Sequence, residues 1–127
     1  MIRPLIRIEG YAAVFDRVDR AGDVMRRGSF ADARPVPLLW QHRGEAVGAI
    51  AAIAEDARGL RVTAEVRDPE VARLVRGGAL RGLSVGYRAT RARQGAWREV
   101  LGAELVEVSL VAVPMQPAAR VETVSEI

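Results

Sequence analysis

The chain contains no cysteine, no lysine and no asparagine, and a single histidine, His42. Without cysteine there is no disulfide framework, no thiolate nucleophile and no cysteine zinc site. With one histidine, any metal would have to be held mostly by carboxylates. Aromatic residues make up 5% of the chain and are scattered, a poor basis for the stacking platforms that single-stranded nucleic acid needs. No apolar run approaches the ~20 residues of a membrane span. The opening Met1-Ile-Arg-Pro-Leu-Ile-Arg-Ile-Glu9 lacks a signal-type h-region. These absences predict a cytoplasmic protein that enters directly on a strand.

What remains is the composition of a folded domain. Half of the 127 residues are apolar and 28% are charged. That length suits one compact domain over residues 1–127, with one real core. All nineteen basic side chains are arginine, a bias that matches a GC-rich genome. They are interleaved with sixteen acids, so the net charge is only +3. The cluster Arg88-Ala-Thr-Arg91-Ala-Arg93 reads as a solvated strand face, and nucleic-acid binding is not expected.

Hydrophobic patterning predicts a mainly β chain. Ile6 to Phe15 reads as a strand, followed by an acidic loop over Asp16-Arg-Val-Asp19-Arg-Ala-Gly22-Asp23. Gly28 to Arg34 is expected to form a short helix, stopped by Pro35 and Pro37. Pro37 to Trp40 is a short strand ending near His42. Ala46 to Glu55 and Leu60 to Arg67 form a hairpin across Asp56-Ala-Arg-Gly59. In its second arm, Leu60, Val62, Ala64 and Val66 share one face. Asp68-Pro69-Glu70 opens a helix with Val71, Leu74 and Val75 at helical spacing, ended by Gly77-Gly78. Two long strands, Gly82 to Arg93 and Trp97 to Val113, precede Pro114. The pattern predicts a closed or nearly closed antiparallel barrel of about six to seven strands, with one or two helices.

The inventory for chemistry is sparse, and a Ser–His pair is the simplest nucleophilic assembly it allows. His42 is either a surface-loop residue or a general base of a kind that titrates near neutral pH. Ser84 lies between Gly82 and Gly86, with Leu83, Val85 and Tyr87 on the opposite face. Gly86 beside its hydroxyl either leaves room for a peptide backbone or marks a barrel corner. Glu107 sits in Leu105-Val-Glu-Val-Ser109-Leu-Val-Ala-Val113, apolar on both faces, and so requires a partner. An arginine is the commonest partner; His42, oriented as in a Ser-His-acid triad, is the alternative. Ser109, on the same face as Glu107, is a rival nucleophile or a supporting donor. Asp16, Asp19 and Asp23 lack calcium-loop spacing and read as a solvated turn.

Taken together, several segments resemble the prohead maturation proteases of tailed phages and related gene transfer agents. They are Gly10-Tyr-Ala-Ala-Val-Phe-Asp16, Asp19-Arg-Ala-Gly-Asp23, Gly28-Ser-Phe30 and Leu38-Leu-Trp-Gln-His42 with Val47-Gly48. Further on come Gly59-Leu60, Gly78-Ala-Leu-Arg-Gly-Leu-Ser84-Val-Gly-Tyr87, and Leu105 to Pro114 with Ala118. The resemblance runs from about residue 8 to 121. It implies a serine endopeptidase with a herpesvirus-assemblin-like β-barrel, packaged in the procapsid within the host bacterial cytoplasm. The implied substrate is the scaffold or the N-terminal scaffolding segment of the major capsid protein. The family's nucleophile falls on Ser84, its base on His42 and its acid on Glu107. No cofactor or metal is implied, and a homodimer or higher homo-oligomer is. Herpesvirus relatives use a second histidine, which this chain lacks, and the family's usual Gly-Ala-Phe is Gly28-Ser29-Phe30 here. The alternative reading is a catalytically inactive capsid-interior or scaffolding protein that retains the barrel.

Overall fold

In the computed structural model, residues 3–127 are described; the reading of the first residues as leaderless falls partly on Met1 and Ile2, outside them. The strands are β1 (Ile6–Val14), β2 (Asp23–Met25), β3 (Pro37–Trp40), β4 (Arg43–Glu55), β5 (Gly59–Val66), β6 (Gly82–Gln94), β7 (Arg98–Val111) and β8 (Val121–Glu126). One helix, α1 (Pro69–Arg76), interrupts them. All eight strands belong to one sheet in the order β2-β7-β3-β4-β5-β1-β8, with β6 also on β7. The sheet curls into a half-barrel. The start of β6 touches the run into β8, where Leu83 donates to the Ala119 carbonyl and Val121 donates to that of Arg81.

The mainly β architecture is the expected one, but two strands and two pairings differ from the sequence reading. β2 and β8 went unread, because three residues and a strand with one buried position carry almost no periodic signal. β2 and β3 both run parallel to β7, on the edge opposite β6, so the sheet is mixed. Parallel pairs leave no hairpin turn in the sequence to announce them.

Local chemistry explains the central elements. β5 lies between β4 and β1 and alternates strictly, with Leu60, Val62, Ala64 and Val66 fully buried. Its turn is held by the Asp56 carboxylate, which accepts from the amides of Arg58 and Gly59. Gly59 is required by crowding: a Cβ there would lie 2.0 Å from the Ala13 carbonyl oxygen. In α1 the Asp68 side chain accepts from the Val71 amide, with Pro69 in the first turn. The helix buries Val71, Ala72 and Val75, so Leu74 is only half-buried.

Gly28 to Arg34 is not helical but a succession of turns. Gly28 has φ +92°, and the Glu55 carboxylate takes the amides of Gly28 and Phe30. Two of the segment's amides are thus spent across the fold, the amides of Ser29, Ala31 and Ala33 close local turns, and Phe30 anchors it in the core. Ser29 is buried beside it, with no partner for its hydroxyl among the described residues. An orphaned buried hydroxyl costs about 1–3 kcal/mol of desolvation. Ser29→Ala is therefore expected to raise the unfolding free energy by up to about 1 kcal/mol, measured by denaturant melts; a loss of more than that would show that the hydroxyl is satisfied.

Candidate active site

β7 carries the centre of the site, with β6 on one edge and β3 on the other. Ser84 on β6 stands opposite Ser109, and Gly86 stands opposite Glu107. Beyond β3, Gln41 and His42 form a tight turn into β4, with Trp40 paired to Arg43. Both turn residues have positive φ, 55° and 62°, as a type I′ hairpin demands. Neither is glycine, and each non-glycine residue there costs roughly 1–2 kcal/mol. The cost is offset by clamps to β7: Gln41 donates its amide to the Leu110 carbonyl, and His42 donates its amide to the Ser109 hydroxyl. The Gln41 side chain also accepts from the Ala112 amide.

The imidazole of His42 meets the carboxylate of Glu107, Nδ1 to Oε1, at 2.5 Å. Glu107 is buried, and Ser109 donates its hydroxyl to the second oxygen, Oε2, at 2.6 Å. The partner Glu107 needed is thus His42, not an arginine. An ionised carboxylate accepts only, so it holds the proton on Nδ1 and leaves Nε2 as the free base nitrogen. Ser109 is fully buried and its hydroxyl is engaged with both Glu107 and the His42 amide. That is the geometry of a supporting donor.

Gly86 explains how the carboxylate reaches this position. A Cβ at residue 86 would lie 2.5 Å from Glu107 Oε1 and 2.9 Å from its Cγ. The space that the sequence reading left open for a peptide backbone is filled by Glu107 itself. Oε1 therefore lies over β6 at Gly86, two residues along the same face from Ser84, about 7 Å by strand rise. The imidazole is bound to Oε1, and His42 and Ser84 line one cavity of about 280 Å³. Gly86→Ala is expected to cost about 1–3 kcal/mol of stability through overpacking. It should also abolish the low-field proton NMR resonance of the His42 Nδ1 hydrogen; a retained resonance would show that Glu107 does not need the gap.

The cavity continues past Ser84 to Ala12, Ala13, Met25, Leu83 and Tyr87. Gln116 closes one side, and its amide group pairs with both the N–H and the C=O of Val14, as a neighbouring strand would. No motif in the sequence signals this role. The acidic loop is also not the solvated turn its composition suggested, since Asp19 and Asp23 are buried. Arg98 grips Asp23 through two nitrogens, and Tyr87 donates its hydroxyl to it. The Arg98 bond holds the Asp23 carboxyl below its ordinary range against the opposing effect of burial. Burial, then the bond to Asp23, pushes the Tyr87 phenol well above its usual value. Asp16 pairs with Arg26, and among the described residues no cluster of three His, Asp or Glu side chains is placed to hold a metal. No helix there is long and apolar enough to cross a membrane.

Comparisons with known proteins bear on this arrangement. The chain is 29% identical over 124 residues to the capsid polyprotein of Pseudomonas phage PAJU2, covering 86% of this chain and 19% of the relative. Among solved structures it is similar to the Kaposi's sarcoma-associated herpesvirus protease in complex with a hexapeptide phosphonate inhibitor, with a TM-score of 0.67. That likeness has 15% identity and covers 95% of this chain and 65% of the protease. The bacteriophage T4 capsid assembly protease gives a TM-score of 0.66 at 15% identity, covering 86% and 82%. At such identities these structures establish a shared fold. The chain spans about a fifth of the phage polyprotein's length and just under two thirds of the herpesvirus protease's. The caudovirus prohead serine protease model matches residues 4–127, and the chain belongs to that family.

Proposed function

We propose that this chain is a serine endopeptidase of capsid maturation in which Ser84 is the nucleophile, His42 the general base and Glu107 the group that orients His42. The observation that carries the proposal is the Glu107–His42 bond formed over Gly86, two residues along β6 from Ser84, with His42 and Ser84 lining the same cavity. Ser84 Oγ attacks the scissile carbonyl as its proton passes to His42 Nε2. The tetrahedral intermediate then collapses, the C–N bond breaks, and the same proton goes to the leaving amine. Water repeats the sequence on the acyl-enzyme. Glu107 keeps the imidazole in the productive tautomer and stabilises the imidazolium.

The substrate is the scaffold protein, or the N-terminal scaffolding segment of the major capsid protein, cut inside the procapsid by a homo-oligomeric protease. Family membership and the capsid polyprotein relative support that choice. Co-expression with the capsid and scaffold proteins tests it, with mass spectrometry of the products. A shortened capsid or scaffold chain is the expected result. Intact partners, no self-cleavage of the purified chain and no labelling of Ser84 by a serine-reactive phosphonate would instead mark a capsid-interior protein without activity.

A further inference from the structure

One polar group in the cavity is not explained by the catalytic reading. Asp19 is nine-tenths buried, and its Oδ1 accepts from the amides of Ala21 and Asp23. Those bonds lock the carboxylate in place. Its other oxygen has neither a hydrogen-bond donor nor a cation among the described residues, while its neighbour Asp23 is neutralised by Arg98. That Asp19 oxygen is open to the cavity, where a cationic group could reach it. Asp19 lines the same cavity as Ser84, whose other walls include Ala12, Ala13, Met25 and Leu83. The site thus combines apolar walls with a single unneutralised negative group, complementary to a side chain with an aliphatic stem and a cationic end.

We infer that the cavity selects a basic residue, lysine or arginine, immediately before the scissile bond, with Asp19 as its counter-charge. The inference rests on the assignment of Ser84 as nucleophile. The side chain on the carbon next to the attacked carbonyl is tied most closely to Ser84 Oγ, and this cavity is the space open to it. Methylene groups of the stem lie against Met115, the exposed apolar side chain of the cavity wall, while the ammonium or guanidinium supplies the partner Asp19 lacks.

Peptidyl diaryl phosphonates with lysine-type, norleucine-type or glutamate-type side chains at that position test the inference. In each, Ser84 Oγ bonds to phosphorus, an aryloxide leaves, and the serine proton passes to His42. The readout is the rate at which intact-mass spectrometry shows Ser84 modified. The lysine-type reagent is expected to react at least about 10-fold faster than the norleucine-type one, the usual scale of a charge-assisted bond, and the glutamate-type slowest. Equal lysine and norleucine rates, or a fastest glutamate reagent, overturn the inference. Asp19→Asn keeps an acceptor for Ala21 and Asp23 but removes the charge, and should bring the lysine-to-norleucine ratio, measured on that variant, close to one. A ratio that persists also overturns it. Labelling without charge preference defeats this inference alone; no labelling of the folded chain by any reagent defeats the protease reading with it.

Discussion

Ser84→Ala is expected to lower the cleavage rate by about six orders of magnitude, and His42→Ala by nearly as much. The two together should cost little more than either alone, because members of a nucleophile–base unit act as one device. Ser84 is almost fully buried on β6, and among the described residues its hydroxyl makes no hydrogen bond that the fold depends on. Alanine removes one oxygen and leaves the strand and its pairing with β7 unchanged. The melting temperature should therefore stay within a few degrees of the wild type while product formation vanishes. Rates are to be compared on the same capsid or scaffold substrate, with phosphonate labelling as a second readout. Full activity in Ser84→Ala, with loss in Ser109→Ala, would transfer the nucleophile to Ser109. The burial of Ser109 and its bonds to Glu107 and the His42 amide argue against that outcome.

Glu107→Gln should slow cleavage by about 10⁴-fold, the scale seen when the acid of such a triad becomes a neutral amide. The substitution preserves the shape of the side chain over Gly86 and an oxygen able to accept from Ser109. It removes the charge that stabilises the imidazolium, and its amide can turn a donor toward Nδ1, which favours the wrong tautomer. The loss should appear in kcat more than in KM, because Glu107 acts through His42 and not on the peptide. The chain should fold, since a neutral amide at this buried position is cheaper to desolvate than a carboxylate. An unchanged rate would reduce the His42–Glu107 pair to a structural bond. Paired with Gly86→Ala, the experiment separates charge from position: one variant keeps the geometry without the charge, the other keeps the charge and displaces it.

Much of the fold could be read along the chain because its signals are local. The alternation in β5, the Asp56–Gly59 turn and the Asp68-Pro69 start of α1 each depend on residues a few positions apart. The 28–34 segment misled for the complementary reason. Its local turns are tied down by the Glu55 carboxylate, a group from another strand that takes the amides of Gly28 and Phe30. Likewise, composition suggested that Asp19 and Asp23 were solvated. Arg98 and Tyr87, brought in from the β6–β7 hairpin, change the environment of Asp23, and the packing around the cavity encloses Asp19.

The candidate residues themselves were legible because the inventory is so small: one histidine, no thiol, and one serine set between glycines in an apolar strand. Their contacts were not. Whether Glu107 answers an arginine or His42 depends on β3 and β6 flanking β7, and parallel pairing with β3 leaves no trace in the spacing of residues. Gly86 illustrates the division. Its lack of a side chain is evident from the sequence, but only the folded sheet shows that the gap admits the Glu107 carboxylate. The amino-acid order by itself determined six of the eight strands, which faces are apolar and which few groups can do acid–base or nucleophilic work. Tertiary structure alone decided which of those groups touch, because contact across strands follows register and sheet curvature, and these are set by the packing of the whole core.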